Sequence, residues 1–247
     1  MGGITDISTV DWYGNVSLVA FFAGCNFRCP YCQNPSLLPM DSGQELDPDL
    51  LKQRIKIGLN LLDSVVFTGG EPTLQSEALT AAAKLVKGFG LKLMLDTNGS
   101  QPEVITNLLE ADLLDRVALD IKAPLTAEDY ERTIGLPQLG EEMARAVSRT
   151  LEICNQRGVE VEIRTTVAPT LSDTPDFVAR IASKIRGMYN VYYLQQFDNT
   201  GDVLSPRLKA ARPPSRETMI QLANVALSAG LEEVYIKTRE HGLERIG

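Results

Sequence analysis

Histidine is almost absent. His241, near the end, is the only one in 247 residues. Metal sites rich in histidine, and Ser–His or Cys–His catalysis, therefore have little to work with. Long apolar runs are absent as well, since none approaches the ~20 residues that a bilayer-spanning helix needs. An excess of basic charge is also missing. Lys and Arg number 24 against 32 Asp and Glu, a net charge of −8, so no cationic surface for nucleic acid is expected. The opening Met1-Gly-Gly-Ile-Thr-Asp6 lacks the basic and apolar blocks of a secretory signal, so a cytoplasmic location is expected. Cysteine is scarce, with four in the chain, yet three of them fall within eight positions. That grouping suits metal ligation in a reducing compartment better than a disulfide framework.

The grouped thiols are Cys25, Cys29 and Cys32, in Gly24-Cys-Asn-Phe-Arg-Cys-Pro-Tyr-Cys-Gln33, a Cys-x3-Cys-x2-Cys spacing. Tetrahedral zinc wants four ligands, and this run supplies three. A cubane iron–sulfur cluster also wants a thiolate at each of its irons, so three cysteines leave one iron open to bind and transform a ligand. Gly24 and Pro30 let the backbone wrap closely around the sulfurs, and Tyr31 offers an aromatic face beside them. The alternative is a zinc knuckle completed from elsewhere. Its candidate fourth ligands are His241 and Cys154. Cys154 lies at helical spacing with Val147 and Leu151 and reads as a buried, inert thiol.

Short β-branched runs alternate with longer amphipathic ones. Strands are expected at Ser17–Ala23, Ser64–Thr68, Leu91–Asp96, Arg116–Ile121, Val159–Val167 and Val191–Gln195. Their near-continuous apolar character predicts parallel strands covered on both faces. Helices are expected at Leu46–Leu62, opened by the capping Asp47 and by Pro48, and at Ser76–Gly88, Pro102–Leu109, Gly140–Arg157 and Thr174–Gly187. Gly88, Gly158 and Gly187 stand where helix-ending glycines belong. Six βα units in series predict an α/β fold, a partial (βα)6 barrel of parallel strands. Its chemistry gathers at the C-terminal edge of the sheet, where the cysteine run follows the first strand. Asn199–Ser215, rich in Gly, Pro and Arg, reads as a long loop, followed by a helix (Ser215–Ala229) and a strand (Glu233–Thr238). Residues 1–247 read as a single domain with its core at about 15–197, followed by the C-terminal loop, helix and strand of 198–247.

Strand ends carry the remaining motifs. Thr68-Gly-Gly-Glu-Pro-Thr73 allows a tight turn with close backbone approach, and Glu71 can accept hydrogen bonds from an ammonium group or stand as a solvated carboxylate. Asp96-Thr-Asn-Gly-Ser100 and Asp120-Ile-Lys-Ala-Pro124 each set a carboxylate at the same edge, and Lys122 adds a cation. Asn98-Gly99 also fits a plain turn, and Asp120–Lys122 a plain surface pair. Arg164, in Arg-Thr-Thr-Val-Ala-Pro169, either forks onto a carboxylate or is a solvated strand residue.

The cysteine run after a first strand, with an aromatic residue before the third cysteine, resembles the radical S-adenosylmethionine (SAM) superfamily. That resemblance implies a [4Fe–4S] cluster on Cys25, Cys29 and Cys32, with SAM chelating the open iron. Reductive cleavage of SAM then yields methionine and a 5′-deoxyadenosyl radical that abstracts a hydrogen atom. Tyr31 would lie near the adenine, while Gly69, Gly70 and Glu71 would hold the methionine amino group. Asp-Thr-Asn-Gly, Asp-x-Lys and Arg-x-x-Val-x-Pro are similar to glycyl-radical-enzyme activases, and Ser8-Thr-Val-Asp-Trp-Tyr-Gly14 and Leu194-Gln-Gln-Phe197 extend the likeness from about Ile4 to Phe197. It implies Asp96, Asn98, Asp120 and Lys122 around the methionine, with a monovalent cation. Arg164, Val167 and Gln196 would line the ribose and adenine. It also implies a partner glycyl radical enzyme, of the anaerobic ribonucleoside-triphosphate reductase type, and a ferredoxin or flavodoxin as electron donor. Cys32-Gln33-Asn34 departs from the usual Cys-His-Asn, and Asp11-Trp-Tyr-Gly14 from Asp-Tyr-Pro-Gly. Two other functions are weighed: a radical SAM enzyme acting on a small molecule, like 7-carboxy-7-deazaguanine synthase, and a non-catalytic iron–sulfur carrier. A carrier has no use for the strand-end motifs.

Overall fold

A computed structural model describes residues 2–43 and 48–247. These form two compact units. The first takes the described residues up to Asn26, those from Ser36 to Thr97, and Gln101–Ala118. The second takes Phe27–Pro35, Asn98–Ser100 and Leu119–Gly247.

In the first unit, β1 (Gly3–Ser8), β2 (Ser17–Phe22), α1 (Pro48–Gly58), β3 (Ser64–Gly69), α2 (Ser76–Gly88), β4 (Lys92–Thr97) and α3 (Pro102–Glu110) lead into β5 (Arg116–Asp120). Strands lie side by side in chain order. β2, β3 and β4 are parallel, with Phe22 level with Gly69, while β1 runs antiparallel along β2. Val19, Val66, Met94 and Ala118 pack around Trp12 as one apolar cluster, and the buried Arg116 guanidinium sits 5.9 Å from the Trp12 ring centroid. That placement covers the ring with a cation that a planar π-face attracts.

In the second unit, the end of β5 is followed by α4 (Ala127–Ile134), α5 (Gly140–Arg157), β6 (Glu160–Val167), α6 (Pro175–Ile185), β7 (Val191–Gln196), α7 (Pro206–Lys209), α8 (Arg216–Ser228), β8 (Val234–Thr238) and β9 (Gly242–Arg245). β6, β7 and β8 are parallel, Val167 is level with Gln196, and β9 returns antiparallel along β8. Parallel strands beneath crossover helices are buried on both faces, which is why they read as continuous apolar runs. The α/β architecture with parallel strands thus matches the expectation.

Several boundaries differ. Helix α1 ends at Gly58, four residues before the expected Leu62. The capping Asp47 lies outside the described residues. Gly158 does cap α5, but Gly88 is the last residue of α2, and the left-handed glycine there is Gly90, at φ 74°. Helix α6 stops at Ile185 with Arg186 as its cap, one residue before Gly187. β1, β9, α4 and α7 are additional. β1 and β9 are edge strands largely open to solvent, so neither carries the apolar run that marks a buried strand. Helix α4 has only eight residues, too few for a clear helical period. Among the described residues no helix is long and apolar enough to cross a membrane.

Candidate cofactor site

In the first unit the glycines of Gly69-Gly70 serve backbone packing. Gly69 has φ 125°, and a Cβ there would lie 2.3 Å from the Phe22 carbonyl oxygen. A Cβ on Gly70 would lie 2.1 Å from the Gly24 oxygen. The amides that follow make use of this closeness: Gly70 N–H donates to Phe22 O (2.8 Å) and Glu71 N–H to Gly24 O (2.7 Å). Gly24 and Cys25 donate in turn to Leu37 O (2.7 Å) and Leu38 O (3.1 Å). The loop carrying Cys25 is thereby stitched to the end of β3.

Glu71 is fully buried. Its Oε1 accepts from Thr73 N–H (3.1 Å), the Thr73 hydroxyl and the Thr97 hydroxyl (2.8 Å). A buried carboxylate requires such donors. That oxygen is therefore committed within its own unit, capping the 3-10 turn Pro72–Gln75. Thr97, at the end of β4, lies inside the Asp96-Thr-Asn-Gly motif without a role assigned to it there, and it ties the Asp96 strand to Glu71. Asp96 itself is half-buried beside it.

In the second unit Cys29 and Cys32 are the ends of one β-turn. Cys32 N–H donates to Cys29 O (2.9 Å), with Pro30 at the position its fixed φ favours. Such a turn keeps its end Cα atoms within about 7 Å, so both thiols can reach one cluster. Cys29 is buried, and none of the four cysteines is disulfide-bonded. Arg28 N–H donates to Ile134 O (2.8 Å), anchoring the run on the end of α4.

Tyr31 is buried at 5% exposure, and its hydroxyl finds no hydrogen-bond partner among the described residues. Burial first, and then the Cys29 thiolate, hold the Tyr31 hydroxyl well above its ordinary pKa. Burial works to lower the Lys122 ammonium, but Asp120 outweighs it, with Tyr31 and Cys29 behind it, and the group titrates well above its usual value. Lys122 Nζ donates to Asp120 Oδ2 at 2.9 Å, and the Lys122 side chain is 15% exposed. Near neutral pH the Lys122 ammonium is charged and the Tyr31 hydroxyl is protonated. Asn98 is buried and turns back on itself, its Oδ1 accepting from Ser100 N–H (2.9 Å).

Arg164 does find a carboxylate, but that of Glu162 on its own strand, itself buried. Val167 is buried at the end of β6. Gln196, at the end of β7, uses both ends of its amide: Nε2 donates to Pro214 O (2.7 Å) and Oε1 accepts from Arg239 N–H (2.9 Å). A cavity of about 460 Å³ opens beside it, lined in part by Asn199, Arg212, Arg216, Arg239 and His241. Cys154 is fully buried in α5, and burial pushes its thiol up to about 12, which keeps it an inert core group. Among the described residues no three His, Cys, Asp or Glu side chains are arranged to hold a metal. The assignment of cluster ligands rests on the thiol spacing and the Cys29–Cys32 turn.

The fold is that of radical SAM enzymes. A radical SAM methyltransferase from Sphaerobacter thermophilus superposes over 92% of this chain and 67% of its own, with a TM-score of 0.68 at 16% identity. The model of the radical SAM superfamily matches residues 19–182. A Methanocaldococcus jannaschii protein named as a glycyl-radical enzyme activating enzyme is 32% identical over 240 residues, 96% of this chain and 95% of its own. The pyruvate formate-lyase-activating enzyme of Clostridium pasteurianum is 32% identical over 193 residues, 76% of each chain. The chain belongs to the radical SAM superfamily and, within it, to the glycyl-radical-enzyme activating enzymes. Membership implies a [4Fe–4S] cluster and SAM, and the thiol donors and paired charges described above suit both.

Proposed function

We propose that this enzyme activates a partner glycyl radical enzyme, of the anaerobic ribonucleoside-triphosphate reductase type, by taking a hydrogen atom from a backbone glycine. The observation that carries the reading is a run of three thiols, one short of closing a cubane cluster, in a chain collinear with an activating enzyme over 96% of its length. When bound, the reduced cluster and SAM supply a 5′-deoxyadenosyl radical. Cys25, Cys29 and Cys32 are the thiolate ligands. Gly69, Gly70 and Glu71 hold the methionine amino end, with Thr97 keeping the Glu71 carboxylate in place. Asp96, Asn98, Asp120 and Lys122 surround the methionine carboxylate, where Lys122 supplies the cation and Asp96 and Asp120 accommodate a monovalent ion. Tyr31, Arg164, Val167 and Gln196 line the adenosine, and Glu162 fixes the Arg164 guanidinium. The whole chain acts as one radical SAM domain, reduced by a ferredoxin or flavodoxin in the cytoplasm.

The test begins with anaerobic reconstitution and dithionite reduction, followed by assay for methionine and 5′-deoxyadenosine. Addition of anaerobic ribonucleoside-triphosphate reductase is expected to give the doublet electron paramagnetic resonance (EPR) signal of a glycyl radical. SAM cleavage without that signal, with consumption of a small molecule instead, assigns the enzyme to a small-molecule reaction. An intact cluster that does not cleave SAM refutes both.

A further inference from the structure

We infer that the segment from Asp198 to Ala211 is a closed buckle that positions the cluster-binding turn, with Lys209 and Asn199 as its clasp. The inference rests on the reading of Cys29 and Cys32 as cluster ligands. Leu204 N–H donates to Cys32 O (3.0 Å) and Ser205 N–H to Pro30 O (2.9 Å), so the loop pairs with the turn backbone to backbone. Gln33, the residue that departs from the activase pattern, adds a third tie, its Nε2 donating to Asp198 O (2.8 Å). The loop is itself locked. Lys209 Nζ donates to the carbonyls of Asn199 (2.7 Å), Thr200 (3.1 Å) and Gly201 (2.6 Å). Asn199 Nδ2 answers with bonds to Lys209 O (3.1 Å) and Ala211 O (2.8 Å). Leu208, between them in α7, is buried at 4% exposure.

The consequence for the turn follows from peptide geometry. In a trans peptide the C=O and N–H point in opposite directions. Holding the Pro30 and Cys32 carbonyls on the loop therefore turns the N–H groups of Tyr31 and Gln33 to the opposite side. Amide N–H groups near a thiolate-ligated cluster raise its potential, and a carbonyl in their place lowers it. The buckle thus fixes the orientation of two peptides that bracket Cys32.

The experiment compares wild type, Lys209→Met and Asn199→Ala, each reconstituted with iron and sulfide. It reads cluster loss to an excess of bathophenanthroline disulfonate, the EPR spectrum of the reduced cluster, and its midpoint potential. Both variants are expected to lose iron about tenfold faster, the scale seen when outer-shell partners of a metal ligand are removed. Their potentials are expected to shift to more negative values. Variants that match wild type in loss rate, spectrum and potential overturn the buckle while leaving the cluster reading intact. Variants that only melt earlier, with spectrum and potential unchanged, show a merely structural loop and overturn it too. A wild type that takes up no [4Fe–4S] cluster overturns the cluster reading as well, so the two failures are told apart.

Discussion

Single residues divide sharply between those whose role shows in the local sequence and those whose role depends on a distant neighbour. Cys29 and Cys154 are both buried thiols, yet only Cys29 sits in a turn with a second cysteine three residues on. Cys29→Ala is expected to abolish the cubane cluster, measured as iron and acid-labile sulfide per chain. Cys154→Ala is expected to retain it. Because burial pushes the Cys154 thiol up to about 12, native protein should leave it unalkylated by iodoacetamide at pH 8. Glycine roles were less legible. The missing Cβ of Gly70 makes room for the Gly24 carbonyl, a packing role that its motif does not show. Gly70→Ala is expected to cost about 2 kcal/mol or more in urea unfolding, because rigid backbone cannot yield as a side chain can. Gly88→Ala is the opposite case. Nothing lies within 4 Å of its Cβ position, and it ends a helix. That change is expected to stabilise by roughly 0.5–1 kcal/mol.

Elements with a buried face and a sustained period were readable, and short or edge elements were not. Ser76–Gly88 and Gly140–Arg157 match expectation residue for residue, since each repeats its apolar spacing over at least three turns. Helix α4 escaped because it is short, and the caps and ion pairs that help to hold it leave no apolar period, although Tyr130 and Ile134 are fully buried. Thr126 caps its N-terminus, and Gly135 ends it in the left-handed region at φ 67°. Asp129, in its first turn, accepts from Arg180 Nη1 (2.7 Å) and the Thr126 hydroxyl (2.7 Å). Burial would raise the Asp129 carboxyl, but the bonds from Arg180 and Thr126 outweigh it and hold it below the usual carboxylate range. A depressed folded value means the contribution is complete above the unfolded pKa of about 3.9 and disappears as pH falls through the lower folded value. Asp129→Asn is therefore expected to lose less stability than wild type between pH 6 and pH 3, followed by urea midpoints. The loop Asn199–Ser215 illustrates the same limit. Its composition marks a loop, but only the pairing of its amides with Cys32 and Pro30 reveals what it holds.

Across the whole molecule, the cluster proposed on Cys25, Cys29 and Cys32 is a ligand for the folded chain. A ligand that binds only the folded chain stabilises it by mass action. Cluster loading is therefore expected to raise the melting temperature by roughly 5 °C or more over the apoprotein in anaerobic scanning fluorimetry. Cys25→Ala, which removes one of the three proposed thiolates, is expected to lose most of that increment. A melting temperature insensitive to loading would contradict ligation by the folded chain.

Chemistry and strand order were written locally in the chain. A thiol run, a Gly-Gly-Glu-Pro turn and apolar β-branched stretches act through residues a few positions apart, so spacing alone conveys them. Other assignments needed residues far apart in the chain to become neighbours. Glu71 Oε1 is committed to the Thr97 hydroxyl on the next strand. Gln196 bonds to Pro214 and Arg239, and Gln33 to Asp198. A buried polar group must find partners wherever the fold brings them, and most of these come from other elements, whose placement no local pattern encodes. The missing thiolate was visible in the sequence, but the supports that hold its neighbours in position appear only in the folded chain.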